Sequence, residues 1–236
     1  MNRIALMVLR NLLKVPRLYG KLCHYAKFTD RYPEQEKWDL IHHIMTLAVK
    51  AGNVDLQVTG VENIPAEGGC MLYGNHQGMF DVLALASSCP VPLSIVYKKE
   101  IRDVPLLKQI YACTKSFAID REDPRQSLQV IQAVTKEVQS GRRYIIFPEG
   151  TRSRTGNQLL SFHGGSFRPA IKAKCPIVPF ALIDSFKVLD EKGSHWTKVQ
   201  LHFLPPIPYE EFKDLKGVEV AALVKSRIEA CIQANL

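Results

Sequence analysis

Apolar residues in the larger, later part of the chain come in short, nearly unbroken runs separated by turns. The runs Val54–Val58, Cys70–Tyr73, Leu93–Tyr97, Tyr144–Phe147, Ile177–Leu182 and Val199–Leu204 predict strands. Between them, residues 79–88, 104–112, 124–140, 165–174 and 217–234 predict helices. The clearest is 124–140. Pro124 suits a first helical position, Leu128, Ile131, Val134 and Val138 share one face, and Gly141 ends the helix. Strands alternating with helices predict an α/β fold with a mixed, largely covered sheet flanked by helices.

The first part of the chain has a different texture. Leu40, Ile41, Ile44, Leu47 and Ala48 recur at helical spacing, predicting a helix over Pro33–Ala51 that Gly52 ends. Within it His42 and His43 are adjacent, so a helix turns them about 100° apart, which suits surface or packing roles rather than a metal pair. Ahead of it, residues 1–29 carry Arg3, Arg10, Lys14, Arg17, Lys21 and Lys27 and no Asp or Glu. Ile4, Leu6, Met7, Val8, Leu9, Leu12, Leu13, Val15, Leu18 and Leu22 lie among these cations. The longest unbroken apolar run, Ile4–Leu9, is far below the roughly 20 residues of a bilayer-spanning helix. It is also too short, and too interrupted by Arg10 and Lys14, for a secretory signal. A basic, apolar, acid-free segment matches a helix lying in a membrane interface, with Pro16 expected to kink or split it. The expected organisation is an N-terminal two-helix, membrane-binding element at 1–52 and one domain at 53–236, with no transmembrane helix.

Charge sharpens this picture. The chain has 236 residues, 31 Lys plus Arg against 23 Asp plus Glu, and a formal net charge of +8. An excess of this sign points to an anionic partner: nucleic acid, an anionic membrane or a phosphorylated substrate. The six cysteines, Cys23, Cys70, Cys89, Cys113, Cys175 and Cys231, are scattered without a Cys-x-x-Cys pair. That argues against a zinc ribbon and against a disulfide scaffold, and for a reducing compartment.

Several chemical motifs are missing. There is no Gly-x-x-x-x-Gly-Lys phosphate loop, no Gly-x-Gly-x-x-Gly turn and no His-Glu-x-x-His metal site. Gly164-Gly165-Ser166-Phe167-Arg168 lacks the last glycine of a nucleophile elbow. No nucleic-acid-binding module accompanies the basic charge.

Two segments do carry chemistry. Asn75-His76-Gln77-Gly78-Met79-Phe80-Asp81 directly follows the run Cys70–Tyr73. Within a continuous helix Asp81 would be rotated about 140° from His76, so the two side chains would not meet. A turn through Gly78, with Asp81 in the first helical turn, brings carboxylate and imidazole together. The carboxylate then fixes the tautomer and the opposite ring nitrogen is free to act as a general base. The motif holds no serine or cysteine nucleophile, which points to activation of a substrate hydroxyl. The second segment runs from Arg142 to Arg154. Its apolar stretch ends at Pro148 and Gly150 and presents Glu149, Thr151, Arg152, Ser153 and Arg154 at a strand's carboxyl end. Arg152 is suited to bidentate phosphate binding.

Together, His-x-x-x-x-Asp and Phe147-Pro148-Glu149-Gly150-Thr151-Arg152-Ser153 resemble the signatures of the glycerolipid acyltransferase family, in particular its short bacterial lysophosphatidate acyltransferases. Their order and separation are similar to the family's. Phe117-Ala118-Ile119-Asp120-Arg121, Cys175-Pro176-Ile177-Val178-Pro179 and Tyr97-Lys98-Lys99-Glu100 resemble three further blocks. The resemblance covers roughly residues 50–210, and the N-terminal helices resemble the family's membrane anchor. Three positions depart from it. Gly78 replaces a common serine, Lys115 a usual glycine and His163 a usual lysine.

The resemblance implies transfer of a fatty acyl group from a thioester, on acyl carrier protein or coenzyme A, to the sn-2 hydroxyl of lysophosphatidate. His76 would be the base and Asp81 its orienting partner, with no acyl-enzyme, cofactor or metal. Arg152, Lys99 and Arg121 would meet the acceptor phosphate, Glu149, Gly150 and Thr151 would shape its pocket, and Asn75 would help with positioning or the oxyanion. The departures leave glycerol 3-phosphate or another lysophospholipid open as acceptor. A thioesterase-like hydrolase and a non-catalytic lipid-binding protein are the competing readings. The implied setting is peripheral, on the cytoplasmic face of the cell membrane, against anionic phospholipid. Nucleic acid is not expected as a partner.

Overall fold

The structure is a computed structural model and describes residues 2–236. Its strands are β1 (Val54–Thr59), β2 (Cys70–Gly74), β3 (Ser94–Lys98), β4 (Phe117–Ile119), β5 (Arg143–Ile146), β6 (Ile177–Ile183) and β7 (Thr197–Phe203). They form one mixed sheet in the order β1-β7-β6-β2-β5-β3-β4. From β6 to β4 every pairing is parallel, while β7 runs antiparallel to β6 and parallel to β1. The carboxyl ends of β6, β2, β5, β3 and β4 therefore lie along one edge, the favoured location for a site in such a sheet.

The unbroken apolar runs have a simple cause: both faces of the sheet are covered. Successive strand residues point to opposite faces. Leu72, Ile145, Val178, Phe180 and Leu182 face one core, and Met71, Tyr73, Tyr144, Ile146, Ile177, Ala181 and Ile183 face the other. The first core is closed by α3 (Glu34–Ala51), α4 (Asp81–Ser88) and α5 (Leu107–Cys113), through Trp38, Ile41, Leu85 and Tyr111. The second is closed by α6 (Pro124–Gln139), α7 (Arg168–Ala173) and α9 (Gly217–Asn235), through Val134, Ala170, Val224 and Ile228. A four-residue helix, α8 (Phe186–Leu189), follows β6.

The N-terminal region contains three helices where two were expected. The basic segment forms α1 (Arg3–Arg10) and α2 (Val15–Lys27). The break falls at residues 11–14, ahead of Pro16. Proline occupies the first turn of α2, where its missing N–H has no helical partner to lose, so it starts a helix rather than kinking one. Helix α3 is part of the main core, not an appendage. Trp38, Leu40, Ile41, Met45 and Val49 join the same apolar cluster as the sheet, and the Trp38 indole donates to the Cys89 carbonyl at 3.0 Å. Among the described residues, no helix is long and apolar enough to cross a membrane.

Other differences from the sequence reading are local. Helix α4 begins at Asp81 rather than at residue 79, leaving the preceding residues free to turn. The stretch 165–174 divides into a 3-10 turn at Gly164–Phe167 and a short α7. The expected helix 104–112 is helical only from Leu107. Strand β4 has only half-buried side chains and pairs on one side alone, so no apolar run announced it.

Leu72 is fully buried at the middle of β2, between two parallel neighbours. Leu72→Ala should lower unfolding stability by about 2–5 kcal/mol. Denaturant titration checks this, and a loss under about 1 kcal/mol would mean the core collapses around the gap.

Candidate active site

Gly74 ends β2, and the chain then turns through Asn75–Phe80 before α4 starts at Asp81. The turn carries Asp81 back to His76. Its Oδ2 lies 2.6 Å from His76 Nδ1, and it also accepts the N–H groups of Gln77 at 2.7 Å and Gly78 at 3.0 Å. Oδ1 accepts the Ser185 hydroxyl, just beyond β6. Asp81 has no solvent exposure, and its place in the first turn of α4 adds the helix dipole to these donors. With Asp81 as the acceptor, His76 carries its proton on Nδ1 and leaves a lone pair on Nε2. The imidazole stacks on Phe147 at 4.2 Å between centroids, and Phe147 meets Phe180 edge-on at 5.8 Å. The ring is thus held on its face as well as its edge, and its side chain remains 23% exposed.

The second segment wraps the same histidine. After β5, Pro148–Arg154 turns so that Glu149 Oε1 accepts the His76 N–H at 2.7 Å and the Ser153 N–H donates to the His76 carbonyl at 2.8 Å. Glu149 Oε2 accepts the Leu160 N–H at 3.0 Å. Glu149 is buried, and burial pushes its carboxyl above the usual carboxylate range, partly offset by these two N–H donors. Its carboxylate is therefore spent on the backbone of the site and faces inward. Asn75 is likewise committed: its amide exchanges two bonds of 2.8 Å with the N–H and carbonyl of Leu182 on β6. That geometry is one of positioning, and it commits the amide oxygen and one of the two amide N–H groups.

Gly150 has φ +72°, a left-handed conformation that suits glycine. Above it lie the His163 ring and the Arg121 guanidinium, within 3.5 Å and 3.9 Å of where a β-carbon would stand. Thr151 is exposed on the turn.

The three expected phosphate ligands have different partners. Lys99 follows β3 and pairs with Asp120 at 2.6 Å. Each raises the other's charged fraction, the lysine shifted up and the aspartate down. Arg152 pairs with Asp190, beyond α8 on the β6 side of His76. Arg121 lies over Gly150. All three follow strands whose carboxyl ends lie along the same edge as the His76 turn.

Sequence reading missed Gln77, Asn157, Ser185 and Asp190. Gln77 is buried, donates to Asn157 Oδ1 at 2.7 Å and accepts the Ser185 N–H at 2.9 Å, locking the turn to β6. Ser185 stands at a strand's carboxyl end, the same positional signal that marked the other candidates. No cysteine is poised as a nucleophile in the core: burial pushes the Cys70 and Cys175 thiols up to about 12 and those of Cys89 and Cys113 up to about 11.

Comparison with known proteins bears on this site. Residues 55–183, which include both segments, match the family model described as Acyltransferase. The 1-acyl-sn-glycerol-3-phosphate acyltransferase of Salmonella typhimurium is 31% identical over 163 residues, covering 69% of this chain and 66% of that protein. The protein of that name from Helicobacter pylori is 31% identical over 150 residues, covering 59% and 63%. The chain thus spans slightly under two thirds of the length of these curated relatives. The crystal structure of the 1-acyl-sn-glycerophosphate acyltransferase PlsC from Thermotoga maritima shares the fold, with a TM-score of 0.72 at 21% identity, over 96% of this chain and 97% of that one.

Glu149→Gln tests the clamp around His76. Glutamine keeps one acceptor and sets an NH2 group against the second backbone N–H. One buried donor is left unpaired, a cost of about 1–3 kcal/mol. Melting temperature and turnover should both fall, and a variant unchanged in both would show the carboxylate to be dispensable.

Proposed function

The chain belongs to the acyltransferase family, and from that premise we propose that it transfers a fatty acyl group from an acyl thioester to the sn-2 hydroxyl of lysophosphatidate, forming phosphatidate. The observation that carries this reading is the His76 Nδ1–Asp81 Oδ2 bond of 2.6 Å, with no serine or cysteine side chain hydrogen-bonded to the His76 ring among the described residues. The base therefore acts on the substrate's own hydroxyl. Nε2 takes the hydroxyl proton as the oxygen attacks the thioester carbonyl, and Asp81 stabilises the imidazolium. The tetrahedral intermediate collapses, the carbon–sulfur bond breaks, and the leaving thiolate takes the proton back from Nε2. No acyl-enzyme forms. Arg152 takes the acceptor phosphate, with Arg121 and Lys99 as the further cations for it. Glu149 and Asn75 position the His76 turn. The donor is acyl carrier protein or coenzyme A thioester, and no cofactor or metal takes part.

The acceptor is a lipid, and the N-terminal helices suit the surface where it lies. Ile4, Val8, Leu9, Leu12, Leu13 and Tyr19 are exposed on α1, α2 and the turn between them, Leu13 to 96%. Lys14, Arg17, Lys21 and Lys27 stand exposed beside them. The other two cations of the segment face the protein. Arg3 bonds the His195 carbonyl and Thr197 Oγ1, and Arg10 bonds the Ala51 carbonyl and Asn53 Oδ1. Four cations and an apolar stripe thus remain for an anionic bilayer. Of the N-terminal element 1–52, we place α1 and α2 at the interface, on the cytoplasmic face of the membrane, while α3 is built into the core of the catalytic domain at 53–236.

A radiolabelled acyl-transfer assay with lysophosphatidate and each donor tests the chemistry. His76→Ala and Asp81→Asn should each lower kcat by about 10²–10⁴-fold. Donor consumed equally with and without acceptor would identify a hydrolase instead. Full turnover by His76→Ala would end the catalytic reading.

Membrane binding is best tested by substitution, because Leu22 and Tyr25 of α2 belong to the core and deletion would disturb it. Leu9→Asp with Leu13→Asp should abolish most sedimentation with anionic vesicles while melting is unchanged. If the double variant still pellets fully, these helices are not the anchor.

A further inference from the structure

One carboxylate stands between the two turns of the site. Asp190, the first residue beyond α8, receives the Arg152 guanidinium on Oδ1 and the Met79 N–H on Oδ2, the latter at 2.8 Å. It thus joins the Glu149–Ser153 turn to the His76–Asp81 turn, without touching either catalytic side chain. The residue beneath it is shaped to match. A β-carbon at Gly78 would collide with Asp190 Oδ2 and lie 3.1 Å from Phe186 Cα. Gly78 does not have a positive φ, so its backbone conformation does not require glycine. The missing side chain makes room for the carboxylate. The arginine and aspartate side chains are 31% and 28% exposed, so an incoming anion can reach both.

We propose that Asp190 is a built-in anion seated on Arg152, and that the phosphate of the acceptor must displace it. This rests on the reading of Arg152 as the phosphate ligand. A carboxylate offers one negative charge and two oxygens. A phosphate monoester offers up to two charges and three oxygens to the same planar fork of donors. Exchange therefore favours an acceptor bearing a terminal phosphate. It disfavours an acceptor with a single charge, and one with none cannot drive it. Asp190 is then a specificity-determining residue: it weakens the binding of every acceptor that needs Arg152, and weakens least those that replace it best. While the seat is filled by Asp190, the charge of Arg152 is neutralised in the free enzyme.

The test uses the full chain in acyl transfer to lysophosphatidate and to monoacylglycerol, a phosphate-free acceptor, with inorganic phosphate as a competing probe. Asp190→Asn removes the charge and keeps an acceptor for the Met79 N–H. It should lower KM for lysophosphatidate and the inhibition constant of inorganic phosphate by about two- to fivefold, the yield of one partly exposed ion pair. The change falls on KM rather than kcat, and KM for monoacylglycerol does not fall. A rise in KM, or a loss confined to kcat, would show that Asp190 props Arg152 instead of competing for it, and overturns the proposal. Arg152→Ala separates the two readings. If it leaves KM for lysophosphatidate unchanged, the assignment of Arg152 fails whatever Asp190 does. If it raises KM while Asp190→Asn does not lower it, the assignment stands and the competition fails. Asp190→Ser is the second neutral variant, and misfolding of both would make Asp190 a structural brace and likewise overturn the proposal. Gly78→Ala should impair the enzyme more when Asp190 is present than in an Asp190→Ala background, and an equal penalty in both would deny the shared space.

Discussion

A carboxylate cut off from water must find its donors inside the protein, and those gathered by Asp81 hold the site in shape. Leaving such a charge unpaired would cost several kcal/mol, so the local structure forms around its satisfaction. Three donors come from His76, Gln77 and Gly78 and one from Ser185, with the start of α4 behind them. The chain between β2 and α4 has little freedom left once these are made. It is a ring closed by an ion, and the imidazole is one member of the ring. The tautomer that puts a lone pair on Nε2 follows from packing requirements before any substrate is considered.

Glu149 shows the same economy with a different result. It too is buried, and it too spends its oxygens on backbone N–H groups, yet it binds no side chain. Its task is to fix the peptide that carries the histidine. With Ser153 bonding the other side of that peptide, His76 is gripped at its N–H and its carbonyl by a single turn. This explains why acid, glycine and small hydroxyl residues occur together in Pro148–Ser153. The acid supplies the acceptor, glycine the left-handed bend, and the bend returns the Ser153 N–H to the carbonyl.

Much of this was legible in the chain itself, because its signals are local. Period-two burial on both faces explains why strands β2, β5 and β6 read as plain apolar runs, and Pro124 with Gly141 bracketed α6 correctly. The contact of His76 with Asp81 followed from the need for a turn at Gly78. What could not be read were partners distant in sequence. Nothing near Arg152 says that it meets Asp190, nothing near Lys99 says that it meets Asp120, and the inward aim of Glu149 depends on Leu160. Pro16 left two outcomes open, a kink or a split, and the segment is split into α1 and α2 with the proline in the first turn of the second helix. Lys99, Arg121 and Arg152 follow β3, β4 and β5, so their placement is set by neighbouring strands rather than neighbouring residues.

The hydroxyl that completes the ring around Asp81 belongs to a residue 104 positions later in the chain. Protein synthesis runs from the N-terminus, so the N-terminal helices and the His76–Asp81 pair leave the ribosome long before Ser185 does. Until β6 has docked beside β2, Asp81 lacks one of its donors, Asn75 lacks Leu182, and the turn lacks its outer wall. Pairings of such long range also form late in folding, after local helices. A nascent chain therefore carries His76 and Asp81 well before their surroundings exist, and the site acquires its final geometry only with the docking of β6.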